Sequence, residues 1–126
     1  MSELKYITFG GFVRDKRIEK NITLRKLAGE LDIVPAYMSD IENGHRYPPA
    51  KGKIDKIAEV LHLSQEEINL LFDLAAGNKK NAVSPDLADY IMSSKKCRQA
   101  LRLARDVNAE DETWDKIIGL LESKKK

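Results

Sequence analysis

Short groups of apolar residues at helical spacing, separated by polar or glycine-containing segments, run along this chain. Two neighbouring groups lie between Thr23 and Gly44, and they contain Leu24, Leu27, Ala28 and Leu31, then Met38 and Ile41. Such spacing predicts two amphipathic helices. Thr23 is a favourable N-cap for the first, and Pro35 suits the first position of the second because its missing N–H is not needed there. Asn43 and Gly44 predict that the second helix ends in a left-handed conformation. We therefore expect two short helices joined by the tight connector 32–34.

Three further helices are predicted around this pair, over about residues 8–20, from the proline-containing loop 45–50 to near residue 62, and from residue 64 to Gly77. Their apolar residues are Phe9, Phe12 and Val13 in the first, Ile54, Ile57, Ala58 and Leu61 in the second, and Ile68, Leu71, Phe72 and Ala75 in the third. Ser64 and Glu67 have the spacing of a capping box at the start of the last helix. Residues 1–77 are therefore expected to form one five-helix domain of the all-α class.

The remaining residues predict a linker followed by a short helical C-terminal extension. Residues 78–84 are polar and lack periodicity, whereas residues 85–126 contain three more amphipathic segments. The apolar positions expected to form a contact surface are Leu101, Trp114, Ile117, Ile118 and Leu121. Roughly forty residues are too few to bury this much apolar surface alone. The extension should therefore pack on the first domain, on a second copy or on another protein, and of these we favour dimerisation.

The residues that flank the central helix pair extend its pattern in both directions. Residues 13–17, with the sequence VRDKR, lie six positions before Thr23, and residues 42–48, ENGHRYP, follow the second helix. With the connector and the helix after it, these features resemble the Cro and lambda-repressor-like helix-turn-helix family, of the xenobiotic response element type, over the first five predicted helices. The resemblance implies a DNA-binding domain in which an ion pair between Arg17 and Glu42 joins the first helix to the third.

In that family the second helix of the motif is the recognition helix, so its outward residues are candidates for base contact: Pro35, Ala36, Tyr37, Ser39 and Asp40. Pro35 and Ala36 suit a thymine methyl group, Tyr37 and Ser39 can hydrogen-bond, and Asp40 can accept from cytosine. The arginine, asparagine and glutamine side chains that read bases most strongly are missing from this helix. Two alternatives stay open, in which Tyr37 packs on the following loop and Asp40 is solvated or pairs with a cation such as Arg14.

The resemblance also implies contacts with the DNA backbone at the start of the second helix and in the loop after the third. The candidates there are Thr23, Arg25, Lys26, His45, Arg46, Tyr47, Lys51 and Lys53. DNA-binding surfaces usually concentrate Lys and Arg, because these residues release counterions from the phosphates. Residues 1–77, however, contain 11 Lys and Arg against 12 Asp and Glu. Any attraction must therefore come from the local placement of the cations, which as an alternative are simply solvated side chains.

Several other classes of function find no support in the sequence. Cys97 is the single cysteine, and it is far in sequence from His45 and His62, so no metal site is expected. No apolar run is long enough to span a membrane, and the N-terminus has no signal-peptide pattern, which predicts a cytoplasmic protein. Phosphate loops, nucleophile elbows and zinc spacings are missing as well. We therefore expect neither enzymatic activity nor a cofactor.

The main hypothesis from the sequence is a sequence-specific regulator of transcription that binds double-stranded DNA as a homodimer. We expect a repressor of phage or mobile-element type that acts by occupying a promoter. The alternative is an antitoxin or another protein-interaction module, in which the C-terminal helices bind a protein partner and DNA binding is secondary.

Overall fold

A computed structural model of the protein describes residues 8–77 and 81–125, and these residues form eight α-helices and no β-strand. In chain order the helices are α1 (Phe9–Glu19), α2 (Leu24–Glu30), α3 (Pro35–Glu42), α4 (Lys51–Val60), α5 (Gln65–Ala76), α6 (Pro85–Ser93), α7 (Lys95–Asp106) and α8 (Asp111–Glu122). The predicted all-α class and the predicted order of helices are confirmed.

Helices α1 to α5 enclose one apolar core. Its buried residues are Phe9, Phe12, Val13, Leu27, Ala28, Leu31, Met38, Ile41, Ile54, Ile57, Ala58, Leu61, Leu71 and Phe72. The most extensive contact is between α2 and α3, while α1 packs on α3 and α5, and α4 packs on α2 and α5. Each helix contributes its apolar stripe to this centre, as the sequence periodicity predicts.

Five of the helices end in the same backbone conformation, with one residue in the left-handed region after the last helical turn. These residues are Asn21, Asp32, Gly44, His62 and Asn108, with φ between 53° and 82°. In each case the next residue donates its N–H to a carbonyl five positions back, as in the bond from His45 N to Asp40 O of 2.8 Å. This is the Schellman motif, which satisfies carbonyls at the end of a helix and turns the chain sharply. The sequence predicted this motif only at Gly44, because asparagine, aspartate and histidine adopt the left-handed conformation less often than glycine.

Gly10 allows α1 to pack directly on the end of α3. A Cβ atom built at this position would lie less than 3.0 Å from the carbonyl oxygens of Ile41 and Glu42. No side chain fits in that space, so glycine is required even though it lowers helix propensity. The contact fixes α1 against the C-terminal end of α3.

A polar link also joins α1 to α5. Glu67 completes the predicted capping box, since its Oε1 accepts from Ser64 N at 2.9 Å and Ser64 Oγ accepts from Glu67 N at 3.2 Å. Its other oxygen, Oε2, lies 2.7 Å from Lys16 Nζ. The hydrogen bond from Lys16 lowers the pKa of the Glu67 carboxyl, and the same bond raises the pKa of Lys16. One carboxylate therefore both caps α5 and fixes it to α1.

The chain divides into two compact units, Met1–Ala88 and Asp89–Lys126. Within the second unit, Arg98 Nη1 donates to the carbonyl oxygens of Ile91 and Met92 and so links α7 to the end of α6. Ser94 caps α7 by accepting from Cys97 N at 3.0 Å. None of the residues of α6, α7 or α8 is buried. Within residues 8–77 and 81–125, the helices lack the length and apolar character that a membrane-spanning segment needs.

Candidate nucleic-acid interface

The helix-turn-helix consists of α2, the turn Leu31–Val34 and α3. Thr23 caps α2 by accepting from Lys26 N at 3.0 Å, and Asp32 adopts the left-handed conformation, with φ of 59°, that turns the chain. Pro35 then begins α3. Because Met38 and Ile41 are buried, the opposite face of α3 points away from the core.

The predicted base-facing residues all retain access to solvent. Ala36 and Tyr37 are exposed, and Pro35, Ser39 and Asp40 are intermediate. Sequence reasoning missed Val34, which precedes α3 and is 64% exposed although it is apolar. Its position directly before Pro35 at the start of a candidate recognition helix is the signal that could have identified it. The face can therefore present both apolar and polar groups to a ligand.

Arg17 and Glu42 lie in contact between α1 and α3. Arg17 Nε donates to Glu42 Oε2 at 2.7 Å, and Arg17 Nη2 donates to Glu42 Oε1 at 3.0 Å. Arg17 Nη1 also donates to the carbonyl oxygen of Ile22 at 3.1 Å. The side chains are only 12% and 3% exposed, and the hydrogen bond to Glu42 raises the pKa of Arg17. This bidentate pair attaches the last turn of α3 to the body of the domain.

Four solvent-accessible side chains meet on the outer face of α3. The guanidinium carbon of Arg46 lies 4.7 Å from the centre of the Tyr37 ring, a distance suited to a cation–π interaction. Arg46 Nε is 3.7 Å from Asp40 Oδ2, and His45 Nδ1 is 3.9 Å from Asp40 Oδ1. Asp40 therefore lies beside a cation, as one alternative proposed, but that cation is Arg46 and not Arg14, because the Schellman turn at Gly44 brings the following loop back over α3. Tyr37 contacts that loop through Arg46, which is the alternative that the sequence left open for this residue.

The remaining backbone-contact candidates differ in how strongly other groups of the protein engage them. Lys53 Nζ donates to the carbonyl oxygen of Leu31 at 2.9 Å, so it supports the turn of the motif. Lys51 Nζ lies 3.0 Å from Asp55, and Lys26 Nζ lies 3.8 Å from Glu30. Arg25 is exposed and forms no ion pair with any residue that the structure describes. Thr23 and Tyr47 are exposed as well.

A second candidate surface lies on α7 and α8. Leu101, Ile117, Ile118 and Leu121 are exposed by 37% to 59%, whereas Trp114 is intermediate. Further exposed apolar side chains are Leu103 on α7, Leu120 on α8 and Val107, the C-cap of α7. Most of these apolar side chains are therefore exposed to solvent in a single copy of the chain. In the described residues, no cluster of histidine, cysteine or acidic side chains is arranged to hold a metal ion.

Comparison with known proteins places these features in a family. Residues 8–71, about half of the chain, match the profile of the family described as helix-turn-helix domain. A curated relative, the ImmF control region 10 kDa protein of Bacillus phage phi105, is 37% identical over 62 residues, which are 49% of this chain. The match spans 64% of that relative's own length. Among solved structures, a chain of the SinR protein/SinI protein complex is similar with a TM-score of 0.46 and 19% identity, covering 94% of this chain and 98% of that one.

The matched region contains α1 to α4 and the first half of α5, and hence the whole helix-turn-helix with its bracing ion pair. The chain therefore belongs to the helix-turn-helix domain family, which confirms the resemblance to the Cro and lambda-repressor-like type.

Proposed function

We propose that this protein binds a specific double-stranded DNA sequence by placing α3 in the major groove, and that it represses transcription by occupying a promoter. The observation that supports this most directly is that α3 has one face buried in the core and the opposite face accessible to solvent. Its inner side chains Met38 and Ile41 are buried, Glu42 is tied to Arg17, and its outer side chains remain accessible. A helix held in this way can enter the groove without unfolding any other part of the domain.

The phage relative supports a role of this kind. That protein is described as belonging to a control region of a phage. We therefore propose that the present chain regulates genes of a phage or another mobile element, and that it acts in the cytoplasm, where its DNA target lies.

Arg25 is the cation best suited to the DNA backbone. It is the second residue of α2, two positions after the cap at Thr23, it is exposed, and no described residue neutralises its charge. The other cations of this surface already lie near a carboxylate or donate to a carbonyl, which offsets part of their attraction to phosphate. Since few charges are free, each subunit should bind DNA only modestly and with a shallow dependence on salt.

We propose further that the exposed apolar faces of α7 and α8 pair with those of a second copy. Helix α7 carries five cationic side chains and one carboxylate, whereas α8 carries four carboxylates and one lysine. Contact between α7 of one copy and α8 of the other would bury apolar residues and bring opposite charges together. A dimer also places two recognition helices on successive major grooves, about 34 Å apart.

DNA binding is tested by fluorescence anisotropy with the DNA that lies upstream of the protein's own coding sequence. The parent should bind at low salt, and Arg25→Glu should bind more weakly because the reversed charge repels phosphate. Lys125→Glu makes the same charge change beyond the end of α8, outside both proposed contact surfaces, and should leave affinity unchanged. If the parent binds neither this DNA nor a random duplex at low salt, the proposal is wrong.

The homodimer is tested by light scattering on the full chain. Ile118→Asp places a charge on the exposed apolar face of α8 and should convert a dimer into a monomer. Gly119→Asp adds the same charge to the next residue, where nothing lies within 4 Å, and should stay dimeric. A monomeric parent would instead favour the alternative function, in which these helices bind another protein as an antitoxin or interaction module does.

A further inference from the structure

The outer face of α3 carries a cation that does not come from α3 itself. The helix has no arginine, asparagine or glutamine between Pro35 and Glu42, so it lacks the usual strong base readers. The Schellman turn at Gly44 sends the chain back, and the guanidinium group of Arg46 comes to lie over the Tyr37 ring. The loop thus supplies an arginine to a helix that has none.

We propose that Arg46 reads a guanine in the major groove, with Tyr37 as the platform that supports it and Asp40 as the group that orients it. This inference rests on the proposed function, because it assumes that α3 enters the groove. It assigns to Arg46 a role in sequence discrimination, in place of the phosphate contact that its position in the loop suggests.

The two terminal nitrogens of the Arg46 side chain remain available to bind a base. Asp40 approaches Nε of Arg46, while the two terminal nitrogens donate no hydrogen bond to any residue that the structure describes. Those two N–H groups form the fork that fits the O6 and N7 atoms of guanine. An arginine that is already stacked and oriented loses less conformational freedom on binding than a free one.

The same arrangement removes an electrostatic obstacle. Asp40 is partly exposed on the outer face of α3, where its negative charge would repel phosphates. Arg46 lies close enough to compensate that charge, so the face becomes approximately neutral. A face with no net charge, on which the guanidinium group of Arg46 is exposed, can approach the base edges. An uncompensated Asp40 carboxylate would instead be repelled by the phosphates.

A base contact and a phosphate contact have different consequences when the arginine is lost. Loss of a phosphate contact weakens binding to all sequences by the same factor, whereas loss of a base contact relaxes preference at one position. A bidentate arginine favours guanine over other bases by about tenfold to a hundredfold. The distinction is therefore large enough to measure.

The test is selection of binding sites from a random duplex pool with the full chain, followed by affinities for the selected site and its single-base variants. The parent should select a site with a strongly preferred guanine. That preference should fall by about tenfold or more in Arg46→Ala. It should also fall in Arg46→Lys, which keeps the charge and loses the fork. Tyr37→Phe keeps the ring and should retain the preference, whereas Tyr37→Leu should weaken it.

Arg46, Tyr37 and Asp40 are not buried, so melting temperatures close to that of the parent should confirm that each variant is folded. Arg25→Ala is the matched control, since it should weaken binding to every sequence and leave the preferences unchanged. If Arg46→Ala behaves like Arg25→Ala, the base-reading role is wrong while DNA binding by α3 stands. If the parent selects no sequence and binds no duplex, both this inference and the proposed function fail.

Discussion

The ion pair between Arg17 and Glu42 should determine both the stability of the domain and its affinity for DNA. Replacing Arg17 with alanine leaves the Glu42 carboxylate, which is 3% exposed, without its two guanidinium hydrogen bonds. The carbonyl of Ile22 loses a donor as well. Stranding a buried charge in this way costs about 3 to 5 kcal/mol. For a domain of this size such a loss lowers the melting temperature by more than about 10 °C.

The measurement is urea unfolding followed by circular dichroism, together with DNA affinity at a temperature where the variant is folded. Affinity should fall with stability, because the pair fixes the last turn of α3 against α1. Lys51→Ala is the control, since Lys51 and Asp55 are about half exposed and such a surface pair contributes less than about 1 kcal/mol. Equal losses of stability in Arg17→Ala and Lys51→Ala would refute the bracing role.

A double substitution tests whether the position of α3 requires the ion pair itself or only the absence of an unpaired buried charge. Arg17→Met combined with Glu42→Leu removes both charges and leaves neither stranded, so it should be more stable than either single variant. If the double variant is stable but binds DNA weakly, the pair is needed for the angle of α3. If it binds like the parent, packing alone is sufficient to position the helix.

Three further predictions follow from other contacts. Gly10→Ala should destabilise the domain by about 1 to 3 kcal/mol in urea unfolding, because the added Cβ collides with backbone carbonyls at the end of α3, whereas Gly29→Ala, with nothing within 4 Å, should be neutral or stabilising. Glu67→Gln should be less stable than the parent at pH 7. Lys16 lowers the folded-state pKa of Glu67, so this difference should shrink as the pH falls below the ordinary value of 4.5 and through the lowered pKa; a constant difference would contradict it. Arg25→Ala should reduce the slope of log affinity against log salt concentration by about 0.9, and an unchanged slope would exclude a phosphate contact.

Contacts between residues close in sequence were the most predictable part of the fold. The N-cap at Thr23, the start of α3 at Pro35 and the capping box at Ser64 each depend on residues within one helical turn. The contact between Arg17 and Glu42 is long-range, and only the family resemblance indicated it. Periodicity found the buried faces, because each helix contributes one stripe to a common core.

The contacts that the sequence left open or did not indicate depend on how turns and packed helices direct the chain. Arg46 reaches Tyr37 because Gly44 reverses the backbone, and Lys53 reaches the carbonyl of Leu31 because α4 packs on α2. Asp32 adopts the left-handed conformation without being a glycine. A sequence pattern indicates which residues are available for such contacts, but the direction of a loop follows only from the packed helices.

Residues 1–77 have a net charge close to zero, with 11 Lys and Arg against 12 Asp and Glu. For this reason, DNA binding through α3 should depend on pairing through α7 and α8. Most cations of the helix-turn-helix already have partners, so a single α3 gains little from general attraction to DNA and depends on specific contacts. A modest affinity per subunit becomes useful when a second subunit is tethered to the first, because the second binding event is then intramolecular. Weakening the apolar face of α8 should therefore reduce DNA affinity although this face lies outside the proposed DNA-binding surface. The loss should be large for a site with two half-sites and absent for a single half-site, whereas a loss on both DNAs would point to damage to the reading domain itself.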